Sequence, residues 1–470
     1  RNTAVLNIEQ ASSGGWVVET EKGSITCDHV ISATGNYARK TGEMVGLDVP
    51  VIPVEHQYLV TEPHPALQQR KQDGLPEMGV LRESDGSWYL REENNGFILG
   101  PYEKGAPACY VDGPDPRAEY ELFQEDIERL EPHIEAAMNR VPAFGEVGIK
   151  KVYNGAIAYT PDGNPIIGPA WDLDNFWLNE GHSFGITAAG GAGWQLAEWI
   201  VEGEPTIDML GVEPRRFGDY ATKKYLIEKN EEAYAHVFIT HYPDEERPAA
   251  RPLRTAPCYE RMKERGAVFG QKFGWERPNF FATDGMPQED DWSFRRSRWF
   301  EAIRREVANT TENVGLLDMT AFAKCRVSGP GAESFLDYFV ANTLPKKVGG
   351  VSLAHALNRK GGVHSEFTIR RESNDSFYLV SAGTLQRLDH DYLKKHMPRD
   401  GSVQFTQLTG ACGVLVLAGP KARLLLERVT DADLSNEAFR WLTAQDIVVG
   451  MAPVNAMRVN FVGELGWELH

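Results

Sequence analysis

The sequence predicts a protein of mixed α/β and α+β class in two modules, on three observations. "GWVVETEKGSITCDHVISATG" (15–35) reads as short strands closing on small residues. "NEGHSFGITAAGGAGWQLAEWI" (179–200) runs a glycine-rich loop into an amphipathic helix, which aims backbone N–H groups at negative charge. "HYPDEERPAARPLRTAP" (241–257), rich in Pro and Arg, reads as a linker before a second alternation of strands and helices.

Composition bounds the rest. With 470 residues, 42% hydrophobic and 10% aromatic, the chain can build cores for two or three domains. A formal charge of −18 disfavours nucleic acid or an anionic membrane as the main partner, so an anionic ligand needs a local basic patch. Cys27, Cys109, Cys258, Cys325 and Cys412 are scattered and odd in number, without C-x-x-C or Cys/His zinc spacing. That usage fits a reducing compartment and predicts no metal site. No apolar run approaches the ~18 residues of a membrane span.

In chain order, "TAVLNIEQ" alternates as a strand from Thr3, and 16–27 gives two strands about a turn at Glu21-Lys22-Gly23. A buried strand over 30–33 ends at Thr34-Gly35, where small residues let a cofactor approach the backbone. Residues 50–110 give short β segments, and an interrupted helix is expected around 120–138, with Leu122, Phe123, Ile127 and Leu130 on one face. A turn at Pro161-Asp162-Gly163 leads to the glycine loop. From about Glu213 a helical, charged run precedes the linker. "MRVNFVGELGWELH" (457–470) reads as strand and turn, so the expectation is a piece of a longer chain at both ends.

These motifs carry a family resemblance. "VISATGNYA", "PVEHQYLVTEP", "FILGPYE", "YTPDGNPIIGP" and "GHSFGITAAGGAGWQLAEWIVEGEPTIDM" resemble the distal flavin domain of the dimethylglycine and sarcosine dehydrogenase family. "GWERPNFF", "WSFRRSRWFEAIRREV", "VGLLDMTAFAKCRVSGPGA", "LPKKVG", "LNRKGGVHSEFTI" and "GELGWEL" resemble its second module, which is similar to the glycine-cleavage aminomethyltransferase. The resemblance implies the distal part of a D-amino-acid-oxidase-like FAD domain over 1–212, with a β-sheet substrate subdomain at about 48–150. A central segment follows over 213–266, and the N-terminal part of an α+β folate module over 267–470. No G-x-G-x-x-G occurs, so the first strand, phosphate loop and ribose-binding acid are expected upstream, with the histidine that carries covalent flavin in many members.

By the same resemblance Gly181, His182, Ser183, Phe184, Gly185 and Ile186 face the flavin's N1/C2 carbonyl edge, and Thr34 and Gly35 belong to the cofactor site. From spacing alone, a glycine-lined helix start that merely packs on a strand reads equally well. His56 is a candidate to bind or deprotonate the amine, because imidazole titrates near neutrality and members with a His-Gln-Tyr segment use that histidine; a lone strand histidine is more often structural. Tyr89, with Tyr102 as second choice, is a candidate to orient substrate or an aromatic packed in a β core. Glu366 aligns with an acid near the reacting folate nitrogen, Glu where some members have Asp; otherwise it is a solvated charge. The resemblance also implies that Thr368 lines the folate pocket and that Glu464 pairs with the pterin N–H edge. Lys346, Lys347, Arg370 and Arg371 are candidates for a folate-tail patch, though such pairs usually face water.

The implied reaction is FAD-dependent oxidative demethylation of an N-methylated glycine, with transfer of the one-carbon unit to tetrahydrofolate. Electrons go to oxygen or an electron-transfer flavoprotein, in a bacterial cytoplasm or a mitochondrial matrix. Three alternatives stay open: a pure folate-dependent methyltransferase, a flavin oxidoreductase with a structural second module that releases formaldehyde, and a catalytically dead binding protein.

Overall fold

The computed structural model describes residues 2–12, 14–283, 285–460 and 463–470. Phe461 and Val462, within the C-terminal stretch read as strand and turn, lie outside them. The chain divides into two units, one of residues 1–241 with 247–251, the other of 242–246 with 252–470.

The strands of the first unit are β1 (Val5–Gln10), β2 (Trp16–Thr20), β3 (Gly23–Cys27), β4 (Val30–Ser32), β5 (Val54–Thr61), β6 (Leu81–Glu83), β7 (Trp88–Glu93), β8 (Gly96–Pro101), β9 (Ile149–Ile157), β10 (Ile166–Pro169) and β11 (Phe176–Glu180). Its helices are α1 (Ala38–Glu43), α2 (Pro65–Gln72), α3 (Ile127–Arg140), α4 (Gly185–Glu202) and α5 (Lys223–Ala235). β1, β2 and β3 form an antiparallel meander. β4 pairs parallel to β11, which pairs antiparallel to β10. The third sheet runs in the order β6-β7-β8-β5-β9.

The period of two along a strand gives this third sheet two faces. Leu59, Leu90 and Leu99 pack against Ala137 of α3 and against Phe144. Val54 and Tyr89 turn to the other side, where they meet Ala233, Tyr234 and Phe238. α3 begins at Ile127, with the Asp126 carboxylate accepting from the Arg129 N–H at 3.1 Å, and runs through Pro132 to Arg140. Leu122 and Phe123 lie before the helix: the Phe123 N–H donates to the Asn154 carbonyl of β9, which ties that segment to the sheet. The expected common face therefore does not form; Leu130 is buried while Leu122 and Ile127 are exposed.

α4 buries Ala192, Leu196 and Trp199 against Ile167 and Trp177; an aliphatic side chain such as Leu196 or Ile167 contributes about 1.5–3 kcal/mol in transfer free energy. α5 buries Tyr225, Leu226, Lys229, Asn230, Ala233 and Tyr234, one stripe at i, i+4 spacing. Its polar members are partnered: Asn230 Nδ2 donates to the Ile52 and Tyr159 carbonyls at 2.9 Å each, and Lys229 Nζ meets Glu232 at 2.8 Å. Asn230 thereby fastens α5 to the chain entering β5.

The second unit holds the hairpin β12 (Ala267–Lys272) and β13 (Trp275–Phe281), and two five-stranded sheets. The strands β14 (Gly315–Asp318), β15 (Ala323–Ser328), β16 (Val351–Leu357), β17 (Val363–Arg371), β18 (Ser376–Ser381), β19 (Gln404–Gln407), β20 (Leu415–Ala418), β21 (Ala444–Val449), β22 (Ala452–Met457) and β23 (Gly466–Leu469) sort into the orders β16-β17-β18-β15-β19 and β14-β20-β23-β22-β21. Phe335, Leu336 and Phe339 of the helix over 332–339 cover one face of the first of these, on Phe367, Ile369 and Phe377.

Candidate active site

His56 lies on β5 opposite Gly155 of β9, so the neighbouring strand places no side chain beside the imidazole. Its ring packs 5.0 Å from that of Tyr102 and edge-on, 5.8 Å, to that of Tyr234 on α5. The ring is half-buried, and burial lowers its pKa from 6.5 to about 4, because desolvation penalises the imidazolium. Its Nδ1 lies 2.9 Å from Tyr234 Oη, which donates to Glu103 Oε2 at 2.7 Å; Gln57 Nε2 donates to the other oxygen, Oε1, at 3.1 Å. Burial raises the Glu103 pKa against the pull of these donors, and raises those of Tyr102 and Tyr234, which stay protonated.

The aromatic wall continues outward. Tyr102, its N–H held by the Ser87 carbonyl, packs 4.7 Å from Phe238, and Phe238 packs edge-on to Tyr89 at 6.2 Å. Tyr89 lies across Gly100 of β8: a Cβ at residue 100 would sit 2.1 Å from its ring, so the glycine makes room for the tyrosine. The Arg82 guanidinium stacks 3.9 Å over Phe238. Phe184, 6.4 Å from Tyr102, joins this wall to the glycine loop.

At that loop Gly181 has φ +68°, and a Cβ there would meet Thr160 at 2.6 Å, so both conformation and close approach demand glycine. α4 starts without a side-chain cap. Beside it lies a cavity of about 250 Å³ lined by Tyr159, His182, Ser183 and Phe184. Two buried polar atoms there have no partner among the described residues, Tyr159 Oη and His182 Nδ1; His182 Nε2 is 2.7 Å from Asn179 Oδ1. Gly185 is half-buried and Ile186 fully exposed. Thr34 and Gly35 are otherwise engaged. Their N–H groups donate to the Glu180 carboxylate at 2.9 to 3.0 Å, joined by the hydroxyls of Ser32 at 2.6 Å and Thr34 at 3.0 Å, and so tie the end of β4 to that of β11.

In the second unit Glu366 and Thr368 share one face of β17, cross-strand from His355 and Leu353 of β16. His355 Nε2 meets Glu366 Oε2 at 3.0 Å, and Asn342 Oδ1 accepts from the His355 N–H at 2.9 Å. Glu464 is half-buried in the bend before β23, on the other five-stranded sheet. The expected basic patch loses two members. Arg370 is buried in a bidentate pair with Asp446 at 3.0 Å, and Arg371 in one with Glu333 at 2.7 Å, so neither guanidinium faces solvent; Lys346 and Lys347 are exposed.

Sequence reasoning passed over Glu103, Tyr234, Arg82, Glu180 and His355. Glu103 ends the quoted "FILGPYE", and the period-four series Leu226, Asn230, Tyr234 is the available signal for the buried face of α5, masked by its polar middle member.

The comparisons follow the same division. The family described as "FAD dependent oxidoreductase" matches residues 1–199, its "central domain" matches 202–256, and the "GCVT N-terminal domain" matches 258–470. Mitochondrial dimethylglycine dehydrogenase of Mus musculus is 37% identical over 473 aligned residues, covering 99% of this chain and 54% of the mouse protein. Mitochondrial sarcosine dehydrogenase of Homo sapiens is 31% identical over 494, covering 96% and 53%. The chain belongs to the dimethylglycine and sarcosine dehydrogenase family. It spans about half the length of the curated relatives it matches. A third relative, at 30% identity over 96% of this chain and 54% of its own length, is the 4-methylaminobutanoate oxidase (formaldehyde-forming) of Paenarthrobacter nicotinovorans. No helix among the described residues is long and apolar enough to cross a membrane.

The dehydrogenase family implies FAD, and the residues present fit the edge of its ring. A flavin's pyrimidine edge both donates and accepts hydrogen bonds. The orphaned Tyr159 hydroxyl, the free His182 nitrogen and the uncapped first turn of α4 supply complementary groups at one cavity.

Proposed function

We propose that the full protein demethylates an N-methylated glycine, dimethylglycine or sarcosine, by oxidation and passes the one-carbon unit to tetrahydrofolate, its electrons going to oxygen or an electron-transfer flavoprotein. The observation that carries this reading is a half-buried His56, its imidazolium disfavoured by burial, in an aromatic wall that adjoins the glycine loop. FAD, when bound, supplies the acceptor for the hydride that leaves the methyl carbon. The chain's own residues manage the amine. Tyr89 and Tyr102 offer ring surface to a methylated nitrogen. An aliphatic ammonium ordinarily holds its proton to near 10, as lysine does, whereas burial lowers His56 to about 4; His56 is therefore a poor final holder of that proton and serves as a hydrogen-bond acceptor for the ammonium N–H of the arriving substrate, whose proton then leaves to solvent. Desolvation beside the apolar wall itself favours the neutral amine that can release hydride. Arg82, stacked on Phe238, supplies positive charge for the substrate carboxylate. Hydride loss leaves an iminium, and in the second module Glu366, paired with His355, holds negative charge where the folate amine captures it.

The test is anaerobic flavin bleaching in the full-length protein. Dimethylglycine or sarcosine bleaches it, and a tertiary methylamine without a carboxylate does so far more slowly. Arg82→Met raises the concentration of methylated glycine needed by about tenfold, the loss of one charge-assisted contact, and leaves the carboxylate-free amine unaffected. Absence of bleaching with every N-methyl amine contradicts the proposal.

One observation favours a second reading. The Glu366 side chain is 51% accessible, the setting of an ordinary surface pair. With a structural second module, water takes the iminium and formaldehyde is released.

A further inference from the structure

Behind His56 stands a series of hydrogen bonds whose directions follow from counting protons. Gln57 Oε1 accepts from the Asp126 N–H at 2.7 Å, so Nε2 is its donating end, and this Nε2 faces Glu103 Oε1. Tyr234 gives its single proton to Glu103 Oε2. Both oxygens of Glu103 then accept, the arrangement of an ionised carboxylate; a protonated Glu103 would reverse the Tyr234 bond and place the ring proton on Nε2, which is the alternative the test reads. With its proton committed, the Tyr234 oxygen can only accept across the 2.9 Å to His56 Nδ1. The ring proton is then on Nδ1, and Nε2 keeps its lone pair. Gln57 and Tyr234 are 0% exposed and Glu103 is 1% exposed, so water does not compete for these bonds.

We infer that Glu103 and Tyr234 are positioning residues that fix His56 as the Nδ1–H tautomer and present Nε2 as the acceptor for the ammonium N–H with which the substrate arrives. The inference rests on the reading of His56 as the amine's ligand. Neither residue touches the substrate: Tyr234 acts through the imidazole, and Glu103 acts through Tyr234. Because α5 carries Tyr234 and Asn230 fastens α5 to the chain before β5, the two ends of the series are held by separate elements.

The test uses full-length protein carrying ¹⁵N-labelled histidine, with His56 assigned by the signal lost in His56→Ala. The expected wild-type spectrum shows His56 protonated at Nδ1 and unprotonated at Nε2. Tyr234→Phe, whose flavin content and melting temperature report its folding, gives a mixture of tautomers and about a tenfold rise in the amine concentration that half-saturates flavin reduction, the effect of one hydrogen bond. Glu103→Gln, which retains volume and removes the anion, moves the tautomer in the same direction. A wild-type ring protonated at Nε2, or a tautomer unchanged in both variants, overturns the inference. An unaltered reduction rate in His56→Ala instead refutes the reading of His56 and leaves the tautomer result standing, so the two failures are told apart.

Discussion

An imidazole in water titrates near 6.5, and His56 is held at about 4 by burial. That difference disfavours the imidazolium by roughly 3 kcal/mol, a penalty no adjacent anion offsets: Tyr102 and Tyr234 pack against the ring with neutral hydroxyls, Arg82 lies beyond Phe238, and Glu103 is reached only through Tyr234. Between the two values the unfolded chain binds a proton that the folded chain refuses. The His56 contribution to stability is therefore complete above about 6.5 and is lost as pH falls toward 4. In the full-length protein the His56 Cε1–H resonance is expected to stay fixed from pH 8 to 5.5, and a midpoint near 6.5 would contradict the burial account. Single residues also explain the reassignment of Arg370 and Arg371. Nothing in "TIRRES" announces that Asp446 and Glu333, distant in sequence, neutralise them.

Elements succeed or fail as predictions according to whether their pattern is local. The hairpin over 16–27 and α4 were legible because turn glycines and an apolar stripe mark them directly. Gly181 can be tested as an element boundary. Gly181→Ala must adopt φ near +68° and clash with Thr160, at a cost on the order of 1–3 kcal/mol, so full-length protein should show a lowered melting temperature and reduced flavin content. Normal values for both would show that the loop adapts. α3 was misplaced at its start because Leu122 and Phe123 continue an apolar spacing that hydrogen bonding to β9 overrides. α5 reads as a charged run because Lys229 and Asn230 occupy its buried stripe, and their partners, Glu232 and the Ile52 and Tyr159 carbonyls, come from the fold. The helix itself is legible as a helical run, but its buried face is not, so Tyr234 is not assigned to the site. Thr34 and Gly35 were read as an open approach to the backbone because Glu180, 145 residues on from Gly35, is what fills their donors.

At the scale of the whole molecule, the candidate residues for the two proposed chemistries fall in separate units, so a lesion in one is expected to leave the chemistry of the other intact. In the full-length protein, Glu366→Gln keeps volume while removing the charge proposed to aid folate capture. Flavin bleaching is expected at close to the normal rate, methylene-tetrahydrofolate formation falls, and free formaldehyde rises by a matching amount. Methylene-tetrahydrofolate at the wild-type rate, with uncatalysed condensation subtracted, makes Glu366 a surface charge and supports the structural reading of the second module. The central claim, that the aromatic wall around His56 is where a methylated glycine is oxidised, is tested most directly by stopped-flow flavin bleaching with dimethylglycine and sarcosine in full-length wild-type and His56→Ala protein of equal flavin content. The account predicts a loss on the order of 10²-fold in the rate constant of the variant, the scale of a missing orienting or acid–base group; equal rates in the two proteins would contradict it.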